Sequence, residues 1–238
     1  MRYFFLLAFA VTSCAVFSGC STPRDASRER PGHEAGEEAR APRNVAPPPA
    51  APGDTRKVIA VFGDSISAGF GLPDGQSFPD DMQKDLDAEH LPWRVVNLGI
   101  SGDTTEGGVS RIDSATSLHP AIVILELGGN DGLRGMPVAL SKANLEQMIV
   151  AFQNAGAQVV LAGMTLPPNY GADYIRDFQQ MYKDLAAKYH LVFIPFIMQD
   201  IITKDLRYIQ ADGIHPTAPG SEIIARTVIK AIRPLLKS

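Results

Sequence analysis

The sequence predicts an α/β domain: a three-layer α/β/α sandwich on a five-stranded parallel sheet of order 2-1-3-4-5. Three observations predict it. Apolar runs of four to seven residues recur along residues 57–238, too short for helices and apolar enough for strands buried on both faces. Stretches with helical spacing separate them. Strands alternating with helices imply right-handed crossovers and a parallel sheet covered on both sides.

The elements follow in order. Val58-Ile59-Ala60-Val61-Phe62 is the first strand and stops at Gly63. Further strands are expected at residues 94–97, 121–127, 158–163 and 191–194. Leu145, Met148, Ile149 and Phe152 share one helical face, with Gly156 as the stop signal. Tyr174, Phe178, Met181, Tyr182, Leu185 and Tyr189 make a second face. Ile223, Ile224, Thr227, Val228 and Ile232 make a third, after Pro216 and Pro219. These stripes are core-facing positions rather than ligand sites.

The N-terminal part is of a different kind. Arg2 precedes a mostly apolar run of 14 residues from Phe4 to Phe17, shorter than the ~20 a membrane helix requires. Small residues, Ser18 and Gly19, then precede Cys20, which together make a secretory signal peptide. The ending resembles the lipobox of bacterial lipoproteins, although Phe17 stands where leucine is usual. That resemblance implies lipidation of Cys20, a membrane anchor through its lipid, and a periplasm-facing place in the bacterial envelope. Residues 21–56 hold seven Pro and seven Ala and only Val45 as a larger apolar side chain. Such a segment cannot offset its ordering entropy and is expected to be a disordered tether. Residues 57–238 form the remaining domain, large enough to bury roughly 70% of its unfolded surface.

Charge excludes some partners. Of 238 residues with net charge −4, the body from 57 to 238 carries 15 basic and 20 acidic side chains. An acidic body is unsuited to the phosphate backbone of nucleic acid. Both cysteines, Cys14 and Cys20, precede that body, so it holds no disulfide and no cysteine-ligated zinc. His90, His119 and His190 show no ligand spacing with carboxylates, and no G-x-G-x-x-G fingerprint occurs. No metal or cofactor is expected.

The chemistry gathers after the strands. Gly63-Asp64-Ser65 follows the first, and a serine entering a helix there has an outward hydroxyl and an unsatisfied N–H. Taken alone, Gly-Asp-Ser is also a turn in which Asp64 caps a helix. Asp212-Gly213-Ile214-His215-Pro216 changes the balance. Serine is a weak nucleophile that needs a base, and the base needs an orienting carboxylate. Asp212 and His215, three residues apart, supply both. Gly102 follows the second strand and lets backbone approach a ligand, while Asn130 follows the third and offers amide donors. Such strand ends converge where the sheet order reverses. Asp64 suits a supporting role in these loops better than that of a catalytic acid.

Gly63-Asp64-Ser65, Gly102, Gly129-Asn130-Asp131 and Asp212-Gly213-Ile214-His215-Pro216 resemble, in order, the four blocks of the SGNH (GDSL) hydrolases. Residues 101–105, 126–135 and 166–171 resemble its branch of periplasmic thioesterases, lysophospholipases and arylesterases. The resemblance implies Ser65 as nucleophile, His215 as general base and Asp212 as its orienter. It implies an oxyanion hole from the Ser65 and Gly102 N–H groups and the Asn130 side chain, with an acyl ester or thioester as substrate. Two other readings stay open, a carbohydrate O-deacetylase and an idle lipoprotein that binds lipid in the same cleft. Leu166 and Tyr170, in a segment after the fourth strand, are expected to cover the acyl chain and favour medium chains over acetyl.

Overall fold

Residues 51, 53–202 and 205–237 are described by the structure, a computed structural model. The expected signal peptide, Cys14 and Cys20 lie outside the described residues, as does most of the expected tether. Strand β1 (Lys57–Gly63) is buried from Val58 onward, β2 is Trp93–Asn97, and β3 (Ile122–Glu126) is buried at every position. Strands β4 (Gln158–Ala162) and β5 (Val192–Ile194) complete the sheet. The order is β2-β1-β3-β4-β5 and every pairing is parallel, as expected for the fold class. Ahead of β1, Asp54 is half-buried, holds Arg56 at 2.8 Å and reaches Arg94 of β2 at 3.9 Å.

The helices are α1 (Ser65–Ala68), α2 (Phe78–Ala88), α3 (Thr105–Ser110), α4 (Ile112–Thr116) and α5 (Gly129–Leu133). They continue with α6 (Val138–Asn154), α7 (Ala172–Lys188), α8 (Gln199–Ile202) and α9 (Ala218–Ile232). Helix α2 packs on α9 and β2, whereas α6 packs on α3, α7 and β4. Right-handed crossovers explain the two groups. The chain leaves β1 in one direction to reach β2, then returns past β1 toward β3, so the connecting helices fall on opposite faces. The α6 stripe is buried as expected, as are Phe178, Met181, Tyr182 and Leu185 on α7 and Ile224, Val228 and Ile232 on α9, whereas Tyr174, Tyr189, Ile223 and Thr227 are half-buried. Sequence reading missed α2, although Ser77 and Asp80 form a capping box ahead of Met82 and Leu86. His90, His119 and His190 have positive φ of 56°, 46° and 52°, each just beyond a helix end, where they let the chain turn away.

Register brings the chemistry together. Gly63 pairs with Glu126, so β1 and β3 end level, and β2 ends at Asn97 opposite Val61, two residues earlier on the same edge. The loops bearing Ser65, Gly102 and Asn130 leave from that edge.

Candidate active site

Ser65 opens α1. Asp64 caps that helix, its Oδ1 accepting the Ile66 N–H at 3.0 Å. The cap sets the direction in which Ser65 leaves the strand. At the other end of the chain, Asp212 Oδ1 accepts the N–H groups of Ile214 at 2.9 Å and His215 at 3.0 Å. This closes the Asp212-Gly213-Ile214-His215 turn and leaves Oδ2 facing the imidazole, 2.7 Å from His215 Nδ1. His215 Nε2 then lies 2.9 Å from Ser65 Oγ, bridging residues 150 apart in sequence. Burial pushes the Asp212 carboxyl up. The backbone and imidazole donors outweigh it, and the net shift is below the usual carboxylate value. A carboxylate held ionised on Nδ1 leaves Nε2 able to accept the hydroxyl proton.

The second group surrounds Asn130. Its side-chain nitrogen donates to the Asp103 carbonyl at 2.9 Å and to Asp64 Oδ2 at 3.2 Å. The amide therefore ties the loop after β2 to the serine turn. Gly102 sits at φ 81° with open space where a side chain would go, so conformation rather than crowding requires glycine. Arg134 Nη2 donates to its carbonyl at 3.0 Å. Gly128, the residue before α5, lies at φ 114°, where a Cβ would collide with the Tyr182 hydroxyl. Asp131 accepts from Thr105 N at 2.9 Å and Ser141 Oγ at 3.1 Å, which pins Asn130's helix to α3 and α6.

Several supporting residues were absent from the sequence reading. Arg111 donates to Asp103 Oδ2 at 2.7 Å, the Leu98 carbonyl at 2.8 Å and the Gly63 carbonyl at 3.0 Å. Glu126 is fully buried and its Oε2 accepts from Ser67 Oγ at 2.7 Å and Asp64 N at 3.2 Å. Its Oε1 has no hydrogen-bond partner among the described residues. A glutamate closing a run of Val and Ile was the available signal.

Asp64 and Glu126 form a buried pair of carboxyls. Burial pushes Asp64 from 3.8 up to about 7, and the charges on Asp103 and Asp131 add to it. Burial raises Glu126 well above its usual value too, with Asp64 contributing. Between pH ~4 and ~7 folded Asp64 holds a proton that the unfolded chain has released. Its contribution to stability therefore falls as pH rises through that window. Asp64→Asn keeps an N-capping oxygen and cannot ionise. Urea denaturation should show the variant gaining on the parent between pH 5 and pH 8, by an amount on the order of a few kcal/mol. A difference constant across that range would show that Asp64 does not titrate there.

The model of the GDSL-like Lipase/Acylhydrolase family matches residues 61–223, a span that includes Ser65, Asn130, Asp212 and His215. The chain belongs to this family. It is 41% identical over 181 residues to the esterase TesA of Pseudomonas aeruginosa, covering 76% of this chain and 90% of that protein. To thioesterase 1/protease 1/lysophospholipase L1 of Escherichia coli (strain K12) it is 35% identical, covering 75% and 84%. The crystal structure of the psychrotrophic esterase EstA from Pseudoalteromonas sp., inhibited by monoethylphosphonate, superposes with a TM-score of 0.72. Identity there is 31%, covering 76% of this chain and all of that one.

Within this GDSL-like fold, Leu166 and Tyr170, the two residues expected to cover an acyl chain, both lie against α5. Leu166 is only 6% exposed and packs on α5, where a Cβ on Gly132 would lie 2.6 Å from its Cδ2. Tyr170 is half-buried, its hydroxyl donating to the Leu133 carbonyl at 2.9 Å. Pro167, Pro168, Asn169 and Gly171 are the exposed residues of the segment. The proline-stiffened loop turns Leu166 inward because its apolar partner is the helix that carries Asn130.

Proposed function

We propose that the chain hydrolyses carboxylic esters or thioesters of acyl chains through a covalent intermediate on Ser65. The observation that carries this reading is the continuous relay from Ser65 Oγ through His215 to Asp212, at 2.9 and 2.7 Å. Ser65 Oγ attacks the acyl carbonyl as its proton passes to His215 Nε2, and Asp212 stabilises the imidazolium. The oxyanion is received by the Ser65 and Gly102 N–H groups and the Asn130 amide. Collapse breaks the bond to the leaving oxygen or sulfur, which takes the proton from Nε2. Water, deprotonated by the same nitrogen, then attacks the acyl-serine; the bond to Ser65 Oγ breaks, Oγ takes the proton back from Nε2, and the acid is released. The names of the relatives, esterase and thioesterase/lysophospholipase, support this substrate class. The acyl side is assigned to residues 164–171, with Leu166 as its inner wall and Tyr170 beside it, since this segment adjoins α5. Export and lipid anchoring at Cys20 rest on the sequence pattern and place the enzyme at the bacterial envelope, facing the periplasm.

A fluorophosphonate probe tests the reaction class. It requires an activated serine, whereas a cleft that only holds lipid does not react. One adduct on the peptide containing Ser65 is expected, lost when His215 is replaced by alanine. Folded protein that takes no label would overturn the reading.

A further inference from the structure

Acyl transfer gives the substrate four directions around the carbonyl carbon: the attacking oxygen, the oxyanion, the acyl chain and the leaving group. The leaving atom must accept its proton from His215 Nε2, so the leaving group lies on the imidazole side. Side chains crowding His215 are therefore the ones that meet it.

Two stand out. The Phe70 ring lies 4.5 Å from the imidazole, centroid to centroid, tilted by 38°. Although aromatic, it is 39% exposed. Ile214, next to His215 in the chain, is 40% exposed. Among the described residues five large apolar side chains are this exposed; of these, Phe70 packs on His215 and Ile214 directly precedes it in the chain. Phe70 is also held in place independently of any ligand. Gln210 Nε2 donates to the Phe70 carbonyl and to the Pro216 carbonyl, each at 2.8 Å. The Gln210 N–H donates to the His215 carbonyl at 2.7 Å. One glutamine thus clamps the loop bearing Phe70 to the turn bearing His215. An apolar surface fixed beforehand loses little freedom when a ligand covers it.

Resting on the hydrolase reading above, we propose that Phe70 and Ile214 form the leaving-group subsite and that Phe70 selects an aryl leaving group. An aryl ring stacks on the open part of Phe70 while its ester oxygen stays within reach of Nε2. A small alkyl leaving group covers neither side chain.

The test compares two butyrate esters with activated leaving groups, phenyl butyrate and trifluoroethyl butyrate. Phe70→Ala should lower kcat/KM on the phenyl ester about three- to tenfold more than on the trifluoroethyl ester, the range an aromatic pair provides. Phe70→Leu, which keeps bulk but not the ring, should show most of the same selective loss. Replacing butyrate by acetate in the phenyl ester should leave the deficit unchanged. Equal loss on both butyrates would overturn the inference and make Phe70 a support for His215. A deficit that grows with acyl length would also overturn it, by moving Phe70 to the acyl side. If the parent enzyme hydrolyses neither ester and takes no phosphonate, it is the hydrolase reading that has failed.

Discussion

Ser65→Ala is expected to lower kcat by about 10⁴–10⁶-fold, and His215→Ala by a similar factor. The two act as one unit across a 2.9 Å hydrogen bond, so the double variant should be little worse than either single one. Neither change removes core packing, and thermal unfolding should stay close to that of the parent. Asp212→Asn completes the set. Its remaining Oδ1 can keep the Ile214 and His215 N–H bonds, but an amide NH2 would then face Nδ1. That forces the imidazole toward the wrong tautomer, a change that costs roughly 10⁴-fold in kcat. Rates on a chromogenic ester decide the matter. Substantial turnover by folded Ser65→Ala would end the assignment.

Asn130→Ala carries the second largest expectation, a fall in kcat of about 10²–10³-fold with KM changed far less. The amide is held by Asp103 and Asp64 before any substrate arrives, so its orientation costs nothing at the moment of reaction. Steady-state kinetics separate the alternatives. A change confined to KM would make Asn130 a residue that binds substrate in its ground state.

The fold was legible because burial leaves a periodic mark. Runs such as Ile122–Glu126 are apolar on both faces, and the stripes on α6, α7 and α9 repeat every three to four residues. Helix α2 was not read because only Phe78, Met82 and Leu86 mark its buried stripe, amid Asp80, Asp81, Lys84 and Asp85. The central site residues were legible for a different reason. Gly-Asp-Ser and Asp-x-x-His each carry their geometry locally, through a cap two residues long and a turn three residues long.

What sits around them was not legible. Arg111 reaches Gly63 across 48 residues, Glu126 reaches Ser67 across 59, and Gln210 reaches Phe70 across 140. No local spacing encodes such partners. Leu166 shows the same limit, since its packing depends on Gly132 in a helix that another segment supplies.

The residues by themselves marked the strands and helices of a parallel sheet and singled out the serine, histidine and aspartate that the structure brings together. Only the tertiary structure decided that Asn130 is held by two loops at once, that Leu166 faces inward, and that Phe70 stands exposed against the imidazole. The reason is physical. Strand and helix identity follow from side-chain periodicity within a single segment. The aim of an amide or the exposure of a ring depends on neighbours supplied by segments dozens of residues away.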